Sequence, residues 1–304
     1  MIEPNAAHAP SPMATAEVTS GRNRRASWIL YWRRLKRRPA TLIATIIFVG
    51  FFGLAVIGPL VAPYGYADMD MKSLLKAPSL AHLFGTDEYG RDVLSRVFVG
   101  TRNIFLLSGS GTLMAVVIGT TIGLLSGYVG GRWDEVVMRL LDVLLAFPAL
   151  LLAMVLLSSV GPSNLNLVLV VTVLYIPIVA RVARSMALDL RTKEFVEAAR
   201  LRGERRRYVL FHEILPNAMS PLMVEASIRF SFSIFLVASL GFLGLGVQPP
   251  SADWGLQVNE ARDFISVAPW TLLFPAAAIA ILVIATNLMT DGLRQVLASG
   301  LDTE

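Results

Sequence analysis

Residues 191–217 read RTKEFVEAARLRGERRRYVLFHEILPN, a polar, arginine-rich stretch wedged between two long apolar runs. The pattern predicts a short helix over 194–202, with Thr192 as its N-cap and with Glu194 and Glu197 toward the positive end of the helix dipole. Gly203 is the natural stop, because glycine enters the left-handed region past a helix end at little steric cost. A second helix is expected over 204–215, ending at Pro216. Phe195, Ala198 and Arg202 recur at helical spacing, and the Ala198–Ala199 pair has almost no side chain, so another surface can come close to this backbone. The stretch therefore reads as a docking element rather than a catalytic one. The alternative is a basic loop held near anionic lipid.

The rest of the chain says what the element is mounted on. Of 304 residues, 55% are hydrophobic and only 16% charged, which is the composition of a polytopic membrane protein rather than a soluble domain. There is no cysteine, which excludes a disulfide framework and thiolate metal sites. The net charge of +5 raises the possibility of nucleic acid. The arginines cluster beside apolar runs, however, which fits the positive-inside rule better and argues for lipid and no nucleic-acid partner.

Residues 1–25 lack periodicity and read as a disordered cytoplasmic tail. Residues 26–40 interleave Trp28, Tyr31 and Trp32 with basic side chains and read as an interfacial amphipathic helix. Apolar runs of membrane-spanning length follow at 42–62, 103–127, 138–160, 165–182, 222–247 and 270–289, giving an all-α protein with six transmembrane helices. Residues 41–101 thus hold the first span and an external segment. Residues 102–292 hold five spans and the loop 183–221, and 293–304 form a tail. Pro148 and Pro177 are expected to kink their helices. With the basic N-terminus inside, counting spans puts 183–221 inside and 248–269 outside, with both termini cytoplasmic. Arginine content agrees: the inner loop is rich in arginine, whereas 248–269 holds only Arg262.

Several smaller patterns remain. Gly85, Thr86, Asp87, Gly90, Arg91 and Asp92 lie in an external GTDEYGRD run, where the glycines suit tight turns and the charges suit mutual pairing. That run reads either as a brace or as a substrate contact. Gly119, Gly123 and Gly127 repeat every four residues, which lets membrane helices approach closely. Asp142 is expected at the cytoplasmic interface with Arg139. Glu225 and Arg229 are four apart, hence on one helix face, and are expected near the cytoplasmic end of their span.

Glu197, Ala198, Ala199, Gly203, Leu215 and Pro216 together resemble the EAA loop of the membrane subunits of ABC importers. The external run, continued by Ser95 and Arg96, resembles the GTDxxGRDxxSR signature of the dipeptide, oligopeptide and nickel branch of that family. The run from Gly244 to Gly255 and that from Asn287 to Arg294 resemble the same branch, so the likeness extends over most of the chain. The sequence departs from the family after Gly203, where Glu204, Arg205, Arg206 and Arg207 replace small residues. The resemblance implies a type I importer permease fold in the bacterial inner membrane. It implies that the loop is the coupling helix seated in a cytoplasmic ATPase. Two such ATPases, a second homologous permease and a periplasmic or lipid-anchored solute-binding protein would be the partners. ATP and magnesium would be bound by those partners, with no cofactor and no metal in this chain.

Absences sharpen the reading. The sequence has no GxxxxGK[ST] and no Gly-Lys pair, so it carries no P-loop, and it has no zincin or nucleophile-elbow motif. It is expected to be no enzyme. His8, His82 and His212 all lie outside the spans, which are nearly bare of the titratable groups an ion-coupled carrier uses. The expected function is half of an ATP-driven peptide path. Nickel or another small solute is the alternative cargo, and an ion-coupled carrier or channel is the alternative class.

Overall fold

The structure is a computed structural model, and it describes residues 39–301, with side chains to residue 295. The expected tail at 1–25 and nearly all of the interfacial helix at 26–40 lie outside the described residues. Among the described residues, nine helices of eight or more residues carry the fold: α1 Pro39–Val61, α2 Val93–Val129, α3 Gly131–Leu145, α4 Ala149–Val160, α5 Asn164–Leu190, α6 Glu194–Leu201, α7 Leu215–Phe242, α8 Trp254–Ala261 and α9 Trp270–Leu301. Among the described residues there is no strand, only one isolated bridge between Thr86 and Asp92. Five helices among the described residues are long and apolar enough to cross a membrane, and α3 with α4 make a sixth crossing if the bent pair counts as one. An all-helical solution is what a bilayer demands, since each span must satisfy its backbone hydrogen bonds internally.

Four expectations about boundaries are corrected. The third span is not a kinked rod. Pro148 breaks it into α3 and α4, bent 89° apart. Proline cannot continue the hydrogen-bond ladder, and it drives Phe147 before it away from helical geometry. The second span begins at Val93, ten residues before the expected 103, because Asp92 caps it: its carboxylate accepts the Ser95 backbone N–H at 2.8 Å and the Ser95 hydroxyl at 2.7 Å. The expected inner loop at 128–137 is a tight corner, made by Gly130 and Gly131 at φ values of 67° and 68°. The last helix runs to Leu301 rather than stopping near 289.

The spine of the bundle is the seam between α2 and α5. A Cβ at Gly119 would lie 2.9 Å from the Ile176 carbonyl oxygen, and one at Gly127 would lie 2.6 Å from that of Arg184. Gly111 meets Val171 in the same way, and Gly123 meets Ala180 and Ala183. With no side chain between them, two backbones touch along about four helical turns, and dispersion contacts accumulate where lipid offers no hydrophobic drive. Small hydroxyls close the seam: Thr172 donates to the Gly111 carbonyl at 3.2 Å. The glycine stripe is thus a packing surface within the subunit.

The bundle has two apolar cores. The larger gathers Ile104, Leu157, Leu167, Ile234, Leu240, Trp254 and Leu282 toward one end. The smaller gathers Leu124, Ala183, Ala187, Val196, Ala199, Val209, Ile214 and Leu222 at the other end. The stretch 191–217 is therefore built on a core of its own.

Replacing Gly123 by Val should strain this seam, which has no room to relax. The expected cost is about 1–3 kcal/mol, read as a lower unfolding temperature of the detergent-purified protein. Gly109→Ala is the control, because its Cβ would meet only the Phe230 ring at 3.8 Å; it should leave the unfolding temperature unchanged.

Candidate functional site

The helix at the centre of the sequence reading forms as expected, from Glu194 to Leu201, with Arg202 as its C-cap. Its start differs. Lys193 is the N-cap and gives no side-chain hydrogen bond, while the Thr192 hydroxyl instead donates back to the Asp189 carbonyl at 2.9 Å. Its end is a Schellman motif. The Gly203 N–H donates to Arg200 at 2.9 Å and the Glu204 N–H donates to Ala199 at 3.2 Å. Gly203 sits at φ 78°, where only glycine is unstrained, yet a Cβ there would meet nothing within 4 Å. Its requirement is conformational, not a matter of space.

The two alanines divide their roles. Val196 and Ala199 are fully buried in the smaller core. Glu194, Glu197, Ala198 and Leu201 face outward at spacings of three and four. Leu201 is 84% exposed, an apolar side chain at the tip of a polar loop. Phe195 turns toward the core while Ala198 and Arg202 are exposed, so these three do not share a face.

The second helix does not end at Pro216. One turn at Arg206–Tyr208 passes into a π-helical segment, Val209–Ile214, which runs straight into α7. Pro216 has no N–H and its ring crowds the carbonyl four residues back, so the ladder widens by one residue: the Leu215 N–H donates to Leu210. Leu215 is half-buried against the smaller core, and Pro216 is exposed. The π-segment and the span are thereby one continuous helix, to which α6 is joined by residues 202–205 and by the shared smaller core.

Arginines tie this piece to the spine. Arg191 donates to the Gly127 carbonyl at 3.0 Å, and Arg200 lies 4.8 Å from the centre of the Tyr128 ring. Arg184 grips Asp134 of α3 with two bonds of 2.6 Å. Asp142 pairs with Arg181 at 2.5 Å rather than with Arg139, whose partner is Glu135. The glycine corner turns α3 back along α5, which brings Asp142 to Arg181.

At the opposite end, the GTDEYGRD run is a clamp. Gly85 and Gly90 adopt φ values of 73° and 74°. Thr86 donates its hydroxyl to the Ser73 carbonyl and accepts the Lys76 N–H at 2.9 Å, while its own carbonyl accepts the Trp270 indole at 3.2 Å. Asp87 pairs with Arg91 at 2.6 Å, and Asp92 lies 3.0 Å from His82. Sequence reasoning missed the key partner: Glu260 of α8 bonds Arg91 at 2.9 Å and Arg96 at 3.0 Å. Both arginines are 1% exposed. Such desolvated charges persist only beside acidic partners, which Asp87 and Glu260 supply here. The signature is thus a brace between the external segment and the last external helix, with no open cavity of ligand size inside it.

Next to the brace, Asp253 caps α8 by accepting the Leu256 N–H at 3.0 Å, and it is 1% exposed. Burial pushes its carboxyl up to about 6, only partly offset by the backbone hydrogen bonds it accepts. Burial likewise raises Glu88.

Glu225 and Arg229 do pair, with Nε and Oε1 2.7 Å apart, although these atoms are misaligned for a hydrogen bond. They lie well inside their helix rather than at its start. Arg229 sits 5.9 Å from the Tyr175 ring centre, and Tyr175 is eleven residues into α5, about 16 Å along it. Among the described residues no three His, Asp or Glu side chains converge as metal ligands.

Comparison with known proteins adds an independent line. Residues 119–303 match the family described as binding-protein-dependent transport system inner membrane component. Residues 27–78 match the N-terminal transmembrane domain of oligopeptide transport permease C. A dipeptide transport system permease protein of Alkalihalophilus pseudofirmus is 38% identical over 89% of both chains. A glutathione transport system permease protein of Pectobacterium atrosepticum is 39% identical over 94% of this chain and 95% of its own. A probable D,D-dipeptide transport system permease protein of Escherichia coli is 39% identical over 88% of this chain and 90% of its own.

Two outcomes test the brace. Glu260→Gln should cost about 3–5 kcal/mol, because it leaves two buried guanidinium groups short of charge, and thermal unfolding reads it directly. The Asp253 carboxyl binds its proton more tightly folded than unfolded, so its contribution runs opposite to a salt-bridged acid. Its contribution to stability should be largest below pH 4 and fall by about 3 kcal/mol as pH rises toward 6. Asp253→Asn keeps the cap and should flatten that slope in a pH series of unfolding temperatures.

Proposed function

Because the chain belongs to the family of binding-protein-dependent transport system inner-membrane components, we propose that it forms one half of the peptide path of an ATP-driven importer, coupled to partner ATPases through residues 191–217. It is a multi-pass inner-membrane permease. In our reading both termini and the docking helix face the cytoplasm, and the brace faces the solute-binding protein. A second homologous permease completes the path, and two ATPase subunits bind ATP and magnesium.

One observation carries the reading. An eight-residue helix with an exposed apolar and acidic face is held on a small core that it shares with the π-segment, and that segment runs unbroken into a span. A partner that moves α6 must therefore move α7. The chain needs no engine of its own for this: alternating access follows when nucleotide-driven closure of the ATPases displaces the docking helix and tilts the bundle attached to it. The names of the relatives, which speak of dipeptides and glutathione, support a short peptide over nickel as cargo.

Whole importer, reconstituted in vesicles, tests this. Glu197→Lys and Gly203→Val should abolish peptide uptake while the subunit still inserts, the second by backbone strain. Leu201→Glu should loosen the ATPase, seen as its loss on co-purification. Wild-type uptake in all three variants would sink the docking role.

A further inference from the structure

Three cavities lie end to end along α2 and α7. The outer one, of about 560 Å³, is walled by Phe48, Phe52, Phe105, Phe230 and Arg102. The middle one, of about 280 Å³, shares Phe48, Gly109 and Phe230 with it. The inner one, of about 320 Å³, shares Val116 and Ala226 with the middle one and reaches Leu210 and Leu215 at the base of the docking segment. Together they make a trough from the brace end to the docking end, open along one side.

Its walls are apolar with a few exceptions. Thr120 lines the inner cavity, 8% exposed, with a hydroxyl that has no partner among the described residues. The outer cavity has a single charge. Arg102 is exposed nine residues into α2, about 14 Å from its start, level with Ala55 and Val56 of α1. Its neighbours at that end, Arg91, Arg96 and Arg262, all have acidic partners, whereas Arg102 has no ion pair among the described residues. A guanidinium beside apolar side chains in a membrane is costly unless it meets water or an anion. Four phenylalanine rings pack beneath it, with centroids 5.7–6.2 Å apart.

Building on the peptide-path reading, we infer that this trough is the substrate groove of the subunit, and that Arg102 receives the C-terminal carboxylate of a short peptide at its outer mouth. The guanidinium matches a carboxylate with two parallel hydrogen bonds. The phenylalanine floor offers sequence-tolerant apolar contact to side chains, and the cavity volume falls within the roughly 300–1,000 Å³ of small-ligand sites. The inner end rests on Leu210 and Leu215, so movement of the docking segment reshapes the groove.

The absence of cysteine from this chain gives a direct test. Arg102→Cys in the whole importer, reconstituted in phosphatidylcholine vesicles with its binding protein, should cut peptide uptake about tenfold. An aminoethyl thiosulfonate, which restores a positive charge, should recover most of the rate. The anionic sulfonatoethyl reagent should not, and Arg102→Lys should keep at least half of it. If Arg102→Cys fails to assemble, Arg102→Lys against Arg102→Gln reads the same charge. Uptake indifferent to the sign of charge overturns the assignment. So does an effect that arises only when phosphatidylglycerol is added, which would make Arg102 a lipid anchor. Wild-type vesicles that take up no peptide overturn the path reading itself, whereas active wild type with an indifferent Arg102 variant overturns only the groove.

Discussion

The structure depends on the direct backbone contact between α2 and α5. In a bilayer, apolar side chains gain nothing by leaving lipid for protein, so adhesion must come from close packing. Gly111, Gly119, Gly123 and Gly127 supply it by removing every atom that would hold the two helices apart. A helix of 37 residues, about 55 Å long, gains a rigid partner along most of its length. Everything at either end is fastened to that pair.

At one end the spine presents the docking piece. Arg191 reaches the last glycine carbonyl of the stripe, and Leu124 and Ala183 of the seam form part of the core that buries Val196 and Ala199. The π-segment matters here. A helix broken at Pro216 would let the loop move alone, whereas a widened ladder keeps it joined to α7. At the other end the cap at Asp92 and the Arg91–Glu260–Arg96 cluster fasten the spine to α8, and Trp254 and Trp270 donate hydrogen bonds to Val97 and Thr86. The two ends are thus joined through packed elements rather than through loops alone.

Much of the docking site was legible in the sequence because its features are local. Helix 194–201, the glycine stop and the surrounding charge follow from dipole, capping and φ preferences acting over a few residues. The split between Ala198 and Ala199 was not legible, since two adjacent alanines have identical chemistry and only the direction of the core separates them. Glu260 was invisible as a partner for the same kind of reason: it lies 169 residues from Arg91, and spacing says nothing at that range. The position of the Glu225–Arg229 pair within its helix was not legible because the π-segment and Pro216 carry that helix back beyond the apolar run that begins at 222.

The amino-acid sequence by itself determined that this chain crosses a membrane, roughly where, and that a short polar helix with a glycine stop stands between two of its apolar runs. These follow from hydropathy and backbone preferences, which each residue carries with it. Tertiary structure alone decided where the third span breaks to near a right angle, which charges meet across the brace, and that three cavities join into one trough beside Arg102. Those outcomes depend on how helices far apart in sequence fill space together, and no residue carries that information alone.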